Sequence, residues 1–272
     1  REGGLETLQT GLSQLPRTDE AAPYVERVLE RISVLSMLDG GLPTYWTSEA
    51  KVVSDPPEKA LAQNPDNWMM TTLMPVIASA DRSVEITSPY FVPGVEGTAG
   101  LTGMVANGVD VAVLTNSLAA TDVAAVHGGY APYRPQLLAG GVRLFELQPH
   151  ARPSDMSLFG SSAASLHTKA FTVDGETGFV GSFNFDPRSA SLNTEMGVLF
   201  VEEGLVGRMR QIFADETAPA MSYRVYLDPQ GDLRWEGERD GAMQVHDREP
   251  EAGLTRRIIA RIVSWLPIES QL

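Results

Sequence analysis

Short β-like runs alternate with helical stretches from about residue 46 to about residue 220, and this alternation restricts the fold more than any other property of the chain. Val84-Glu85-Ile86-Thr87 reads as a strand that ends at Pro89, and Leu101 to Ala106 as a short helix. Val109 to Leu114 is a buried strand, residues around Val123 to Ala139 are helical, and Val142 to Leu147 is a strand again. Leu166 to Val173 and Gly178 to Phe183 follow as two strands joined by a turn at Asp174-Gly175. Met196 to Val201 is a strand and Leu205 to Phe213 a helix. Such a series predicts an α/β lobe, a mixed β-sheet flanked by helices on both faces.

Outside this core the pattern changes. Residues 5 to 38 read as two helices broken at Pro16, the second with Val25, Val28, Leu29, Ile32 and Leu35 on one face. The expected organisation is therefore a helical connector over 1–45, the α/β lobe over 46–220 and a short β tail of exposed strands over 221–250. A basic amphipathic helix over 251–272 completes it. In that last segment Leu254, Ile258, Ile259, Ile262, Val263 and Leu266 face one way, while Arg256, Arg257 and Arg261 crowd the rest. It fits either a docking helix or an interfacial helix lying among lipid headgroups, with its arginines on anionic lipid. His150 and His246 read as ordinary surface residues.

Charge narrows the partners. The formal net charge of −14 disfavours a nucleic-acid surface, whose affinity comes from neutralising phosphates. It also opposes an anionic membrane unless some segment is locally basic. The absence of cysteine excludes disulfides and thiolate metal ligands.

The residues that carry chemistry lie together. In Leu166-His167-Thr168-Lys169-Ala170-Phe171-Thr172-Val173-Asp174, strand alternation puts His167 and Lys169 on one side. An imidazole attacks phosphorus or moves a proton near neutral pH, and an ammonium holds phosphoryl oxygens. Ser182 and Asn184 share a strand face as neutral donors to those oxygens, and Glu195 is placed to accept the other imidazole N–H. A lone His-x-Lys is weak; one followed by Asp174, Gly181-Ser182-Phe183-Asn184, Asp186, Arg188-Ser189, Asn193 and Glu195 is specific. Elsewhere, Tyr90 at a strand end is a pocket candidate, Asn116 and Asp122 fit a strand-end pocket or plain turn chemistry, and His127 near Tyr130 is either a surface histidine or a headgroup contact.

The H-x-K-x4-D and G-S-x-N elements resemble the C-terminal HKD motif of the phospholipase D superfamily. Ser88-Pro89-Tyr90-Phe91-Val92-Pro93-Gly94, Leu114 to Asp122, Val126-His127-Gly128-Gly129-Tyr130, Asp186-Pro187-Arg188-Ser189, Leu192 to Gly197, Tyr223-Arg224-Val225 and His246 to Pro250 extend the likeness. Over nearly the whole chain they resemble bacterial cardiolipin synthases of the C type.

That resemblance implies a phospholipase-D-like lobe and a metal-free, cofactor-free, two-step phosphatidyl transfer through a phosphohistidine. It makes His167 the acid–base partner of a nucleophilic histidine in another motif, with Lys169, Ser182 and Asn184 binding phosphate and Asp174 bracing a loop. Tyr90, Asn116, Asp122, His127, Tyr130 and Arg188 become substrate-binding candidates. Only one HKD motif is present, so the expected partner is a second HKD lobe, either a missing N-terminal half or a second chain. The connector-like start and the initial Arg favour a truncated two-lobe enzyme. The expected setting is the surface of the bacterial cytoplasmic membrane, with phospholipid substrates and no nucleic acid. The alternatives are a phosphodiesterase or nuclease acting as a homodimer, and an inactive isolated lobe.

Overall fold

Three consecutive parallel strands form the centre, and their crossovers supply one helical layer. A computed structural model describes residues 43–149 and 165–266. The helices expected over 5–38 and His150 lie outside the described residues, and all elements below belong to the unit that begins at Thr47. β1 (Ala50–Ser54) and helix α1 (Met69–Ala78) lead into β2 (Ser83–Thr87), α2 (Gly94–Ala106) and β3 (Asp110–Asn116). Then come α3 (Ala124–Tyr130), α4 (Arg134–Ala139), β4 (Arg143–Leu147), β5 (Ala170–Val173) and β6 (Thr177–Gly181). α5 (Pro187–Ser191), β7 (Met196–Val201), α6 (Glu203–Glu216), β8 (Ser222–Leu227), β9 (Leu233–Arg239), β10 (Ala242–His246) and α7 (Leu254–Val263) complete the series.

All ten strands join one mixed sheet in the order β1-β7-β6-β5-β2-β3-β4-β8-β9-β10. β2, β3 and β4 are mutually parallel, each joined to the next through helix as a parallel pair requires, and their flanking neighbours β5 and β8 are antiparallel to them. β3 is apolar on both faces, as a central strand must be. Its Val111 and Val113 pack with α1 (Met69, Leu73, Ile77), α2 and α4, and its Ala112 and Leu114 with Phe213 of α6. The expected helical cover on both faces of a mixed sheet is what the chain forms.

Three expectations change. The segment 222–247 is not a row of exposed strands: β8 pairs with β4 and extends the central sheet, burying Tyr223, Val225 and Trp235. The strand expected over Leu166–Val173 forms only from Ala170, so His167 and Lys169 lie in the segment that enters it. On α7 two of the three arginines, Arg256 and Arg257, do not belong to an outer face. Arg256 donates to the carbonyls of Leu118 and Thr121, and Arg257 to the carbonyl of Glu249 at 2.7 Å. Ala260 packs on Gly128 of α3, where a Cβ would lie 2.6 Å from the Ala260 carbonyl oxygen. The helix docks by its small and basic residues and leaves Leu254, Ile258, Ile262 and Trp265 exposed.

Candidate active site

Strand direction collects the expected residues at one end of the sheet. β5 and β7 run against β2, so the entries to β5 and β7 and the exits of β2, β3 and β6 lie side by side. The register aligns Leu114 and Ala170 with Thr87, Val180 with Ala170, and Gly197 with Gly181. His167 and Lys169 precede β5, Ser182 and Asn184 follow β6, Glu195 precedes β7, and Tyr90 follows β2. This is the crevice outside the carboxyl ends of parallel strands, where α/β folds bind ligands.

The imidazole of His167 is exposed, and the Lys169 ammonium donates back to the His167 carbonyl at 2.9 Å. Burial lowers the Lys169 pKa, against the carboxylates of Glu195, Asp186 and Asp122 that raise it. Those three acids thus share one field with the lysine. Tyr90 donates to both Asp122 oxygens at 2.9 Å, and burial with that bond pushes its phenol up to about 12. Asn184 is buried, its backbone N–H donates to Ser189 Oγ at 3.2 Å, and its amide oxygen has no hydrogen-bond partner among the described residues. An unsatisfied buried acceptor is the kind of group that a ligand hydroxyl fills.

Glu195 differs from its expected role. One oxygen accepts from Ser182 Oγ and the other from Ser189 Oγ at 2.9 Å, so both are committed to hydroxyls rather than to the His167 ring. Its backbone is clamped in turn by Asp55, whose Oδ2 accepts from Glu195 N–H at 2.9 Å. Lys59 neutralises Asp55 at 2.7 Å, with both side chains fully buried, and also donates to the Ser189 carbonyl at 2.7 Å. In the sequence, Ser189 shows only as part of the motif run, and Asp55 and Lys59 only as an i,i+4 acid–base pair. Asp186 caps α5 by accepting from Ser189 N–H at 2.7 Å. Burial raises its carboxyl pKa, and Arg188, exposed on the first turn of α5, lowers it.

Three substrate-binding candidates take other places, and Asp174 braces the turn before β2. Asn116 clamps Leu166, accepting from its N–H at 2.9 Å and donating to its carbonyl at 3.2 Å, so it holds the residue before His167 instead of facing substrate. Asp174 sits at the far end of β5, roughly 23 Å from His167 at about 3.3 Å per residue. There its carboxylate accepts from the N–H groups of Asp81, Arg82 and Ser83 at 2.9, 2.8 and 2.8 Å. His127 and Tyr130 are buried beside an ion cluster in which Arg134 donates to Glu146 at 3.0 Å and Glu249 at 2.5 Å. His127 lies 3.3 Å from Glu249. His127, Glu146 and Glu249 are close enough together for a cation, but the Arg134 guanidinium already occupies the acids.

A family described as "Cardiolipin synthase, PLD-like domain" matches residues 73–216. Cardiolipin synthase C of Escherichia coli (strain K12) is 38% identical over 258 residues, 93% of this chain and 52% of that protein. Cardiolipin synthase A of Pseudomonas aeruginosa (strain UCBPP-PA14) is 34% identical over 148 residues, 54% of this chain and 27% of that one. The chain thus spans about half the length of the first and about a quarter of the second. Among solved structures, the phospholipase D family member Nuc from Salmonella typhimurium aligns with a TM-score of 0.45 and 20% identity, covering 61% of this chain and 93% of that one. With His167 and Lys169 at the strand-end crevice and more than half its length matched by the family, the chain belongs to the PLD-like domain family of cardiolipin synthases.

Proposed function

We propose that this lobe is one half of a phosphatidyltransferase site that makes cardiolipin from phospholipids, working with a second HKD lobe. The observation that carries the reading is the convergence of His167, Lys169, Ser182 and Asn184 on the strand-end crevice, with Lys169 partly buried there. In the first step a histidine of the second lobe forms a bond to phosphorus. The bond from phosphorus to the headgroup oxygen breaks, and His167 gives its proton to the departing alcohol. In the second step His167 takes the proton of the acceptor hydroxyl, the new P–O bond forms and the P–N bond breaks. Lys169 and the Asn184 amide hold the non-bridging oxygens as charge builds on them, while the Ser182 hydroxyl donates to Glu195 and positions that carboxylate beside them. The site works at a membrane surface, because its substrates are lipids and the exposed apolar residues of α7 suit the headgroup boundary.

Labelled phosphatidylglycerol offered to the chain with and without a co-expressed first lobe, with products separated by thin-layer chromatography, tests this. Cardiolipin should form only in the pair, and His167→Ala should lower the rate by roughly two to four orders of magnitude. A full rate with His167→Ala, or cleavage of nucleic acid in place of lipid transfer, overturns the proposal.

A further inference from the structure

A groove of about 590 Å³ runs between α1 and α2, on the side of the sheet opposite α6, and the proposed transfer chemistry does not use it. Phe91, Phe183 and Phe185 line it, tied together by the Phe91–Phe185 bridge and an edge-to-face contact between Phe183 and Phe185 at 5.6 Å. Alternation along the extended segment after β6 sends Phe183 and Phe185 to one side and Ser182 and Asn184 to the other. The wall that forms the groove is therefore the back of the phosphate-binding segment. At one end the groove meets Asp186, the carboxylate that shares the field of Lys169 and Tyr90.

We infer that this groove holds an acyl chain of the phospholipid whose phosphate sits at His167 and Lys169. The inference rests on the phosphatidyl-transfer reading and adds to it where the hydrocarbon lies. The size is that of a small-molecule site, and the lining is apolar apart from two carboxylates, Glu96 and Asp186. Met70, Met74 and Met104 line the walls. Unbranched thioethers adapt to a flexible chain better than branched side chains do. On α2, Gly94, Gly97 and Gly100 line the groove. Gly100 is inside a helix, which glycine weakens, yet a Cβ there would meet nothing within 4 Å among the described residues. Among the described residues, packing does not call for that glycine.

Titration calorimetry with dibutanoyl-, dihexanoyl- and dioctanoyl-phosphatidylglycerol, each below its micellar concentration, and with glycerophosphoglycerol as the bare headgroup, tests this on the full chain. Affinity should climb about fourfold for each methylene that enters the groove. Gly100→Leu should flatten the climb. Gly103→Leu, at an equally open position of α2 outside the groove, should leave it intact. Both substitutions should preserve or raise the melting temperature, because leucine favours helix over glycine. As a second measurement, the methyl NMR signals of Met70, Met74 and Met104 should shift with the dihexanoyl lipid and not with the bare headgroup. A missing climb, or one that survives Gly100→Leu, overturns the groove, including the case in which another part of the protein fills it. Headgroup binding that is indifferent to Lys169→Ala counts against the transfer reading and leaves the groove standing. Headgroup binding lost with Lys169→Ala, without any climb, does the reverse.

Discussion

Asn116 and Asp174 show how polar side chains around a motif act through the backbone. Asn116 uses both ends of its amide on Leu166, and that pair of bonds sets where the chain turns toward His167. Asp174 has a positive φ of 55°, which Asp tolerates better than most residues, and from there its carboxylate collects three N–H groups at the start of β2. Partial burial raises its pKa, but those N–H groups and Arg82 more than offset this and hold it below the usual 3.8. The resulting stabilisation is present above the unfolded pKa, near 4, and fades as pH falls through the lower folded value. Asp174→Asn should therefore cost about 1–2 kcal/mol at neutral pH, with the gap to the parent closing in acid. Chemical denaturation across that pH range checks it, and a gap that widens in acid would contradict the assignment.

At the scale of the element, α7 shows why an amphipathic pattern does not say which face is buried. Its apolar residues form a broad stripe, yet the helix sits on Gly128 through Ala260 because two small residues allow the backbones to come close. Arg256 and Arg257 satisfy carbonyls of the loop after β3 and of the approach to α7. Arg261 stays outside, over the Trp265 ring at 5.3 Å. The apolar stripe is thereby left exposed among the described residues, and the membrane-surface proposal rests on it. No helix among the described residues is long and apolar enough to cross a membrane. Ile258→Glu and Ile262→Glu, at side chains 48% and 51% exposed, should each weaken binding to anionic vesicles about tenfold and leave the melting temperature within a degree or two. Sedimentation with vesicles of graded phosphatidylglycerol content measures this, and unchanged binding would remove α7 from the interface.

For the whole molecule, the buried ion cluster ties the second half of the lobe together, joining α3 (His127), α4 (Arg134), β4 (Glu146) and the approach to α7 (Glu249). Burial alone would raise the Glu249 carboxyl, but Arg134 and His127 hold it well below its usual 4.5. The parent should lose this stabilisation as pH falls below about 5. Arg134→Met should cost about 3–5 kcal/mol at neutral pH, since it leaves two buried acids facing each other. In that variant an acid prefers its proton, so the deficit should shrink on acidification, as pH-dependent calorimetry would show. The sequence by itself determined the α/β class and most strand positions, because period-two alternation is a local property of the chain, and motif spacing made His167, Lys169, Ser182, Asn184 and Glu195 the candidates. It also placed the Asp174-Gly175 turn, both residues of which adopt positive φ. It did not reveal that β8–β10 extend the central sheet, that Glu195 binds Ser182 and Ser189, or that His127 and Tyr130 are internal. Those depend on which distant groups meet, as with Asp55 and Glu195, 140 residues apart. A carboxylate takes whichever donors the assembled sheet brings within hydrogen-bonding distance, and only the tertiary structure decides which those are.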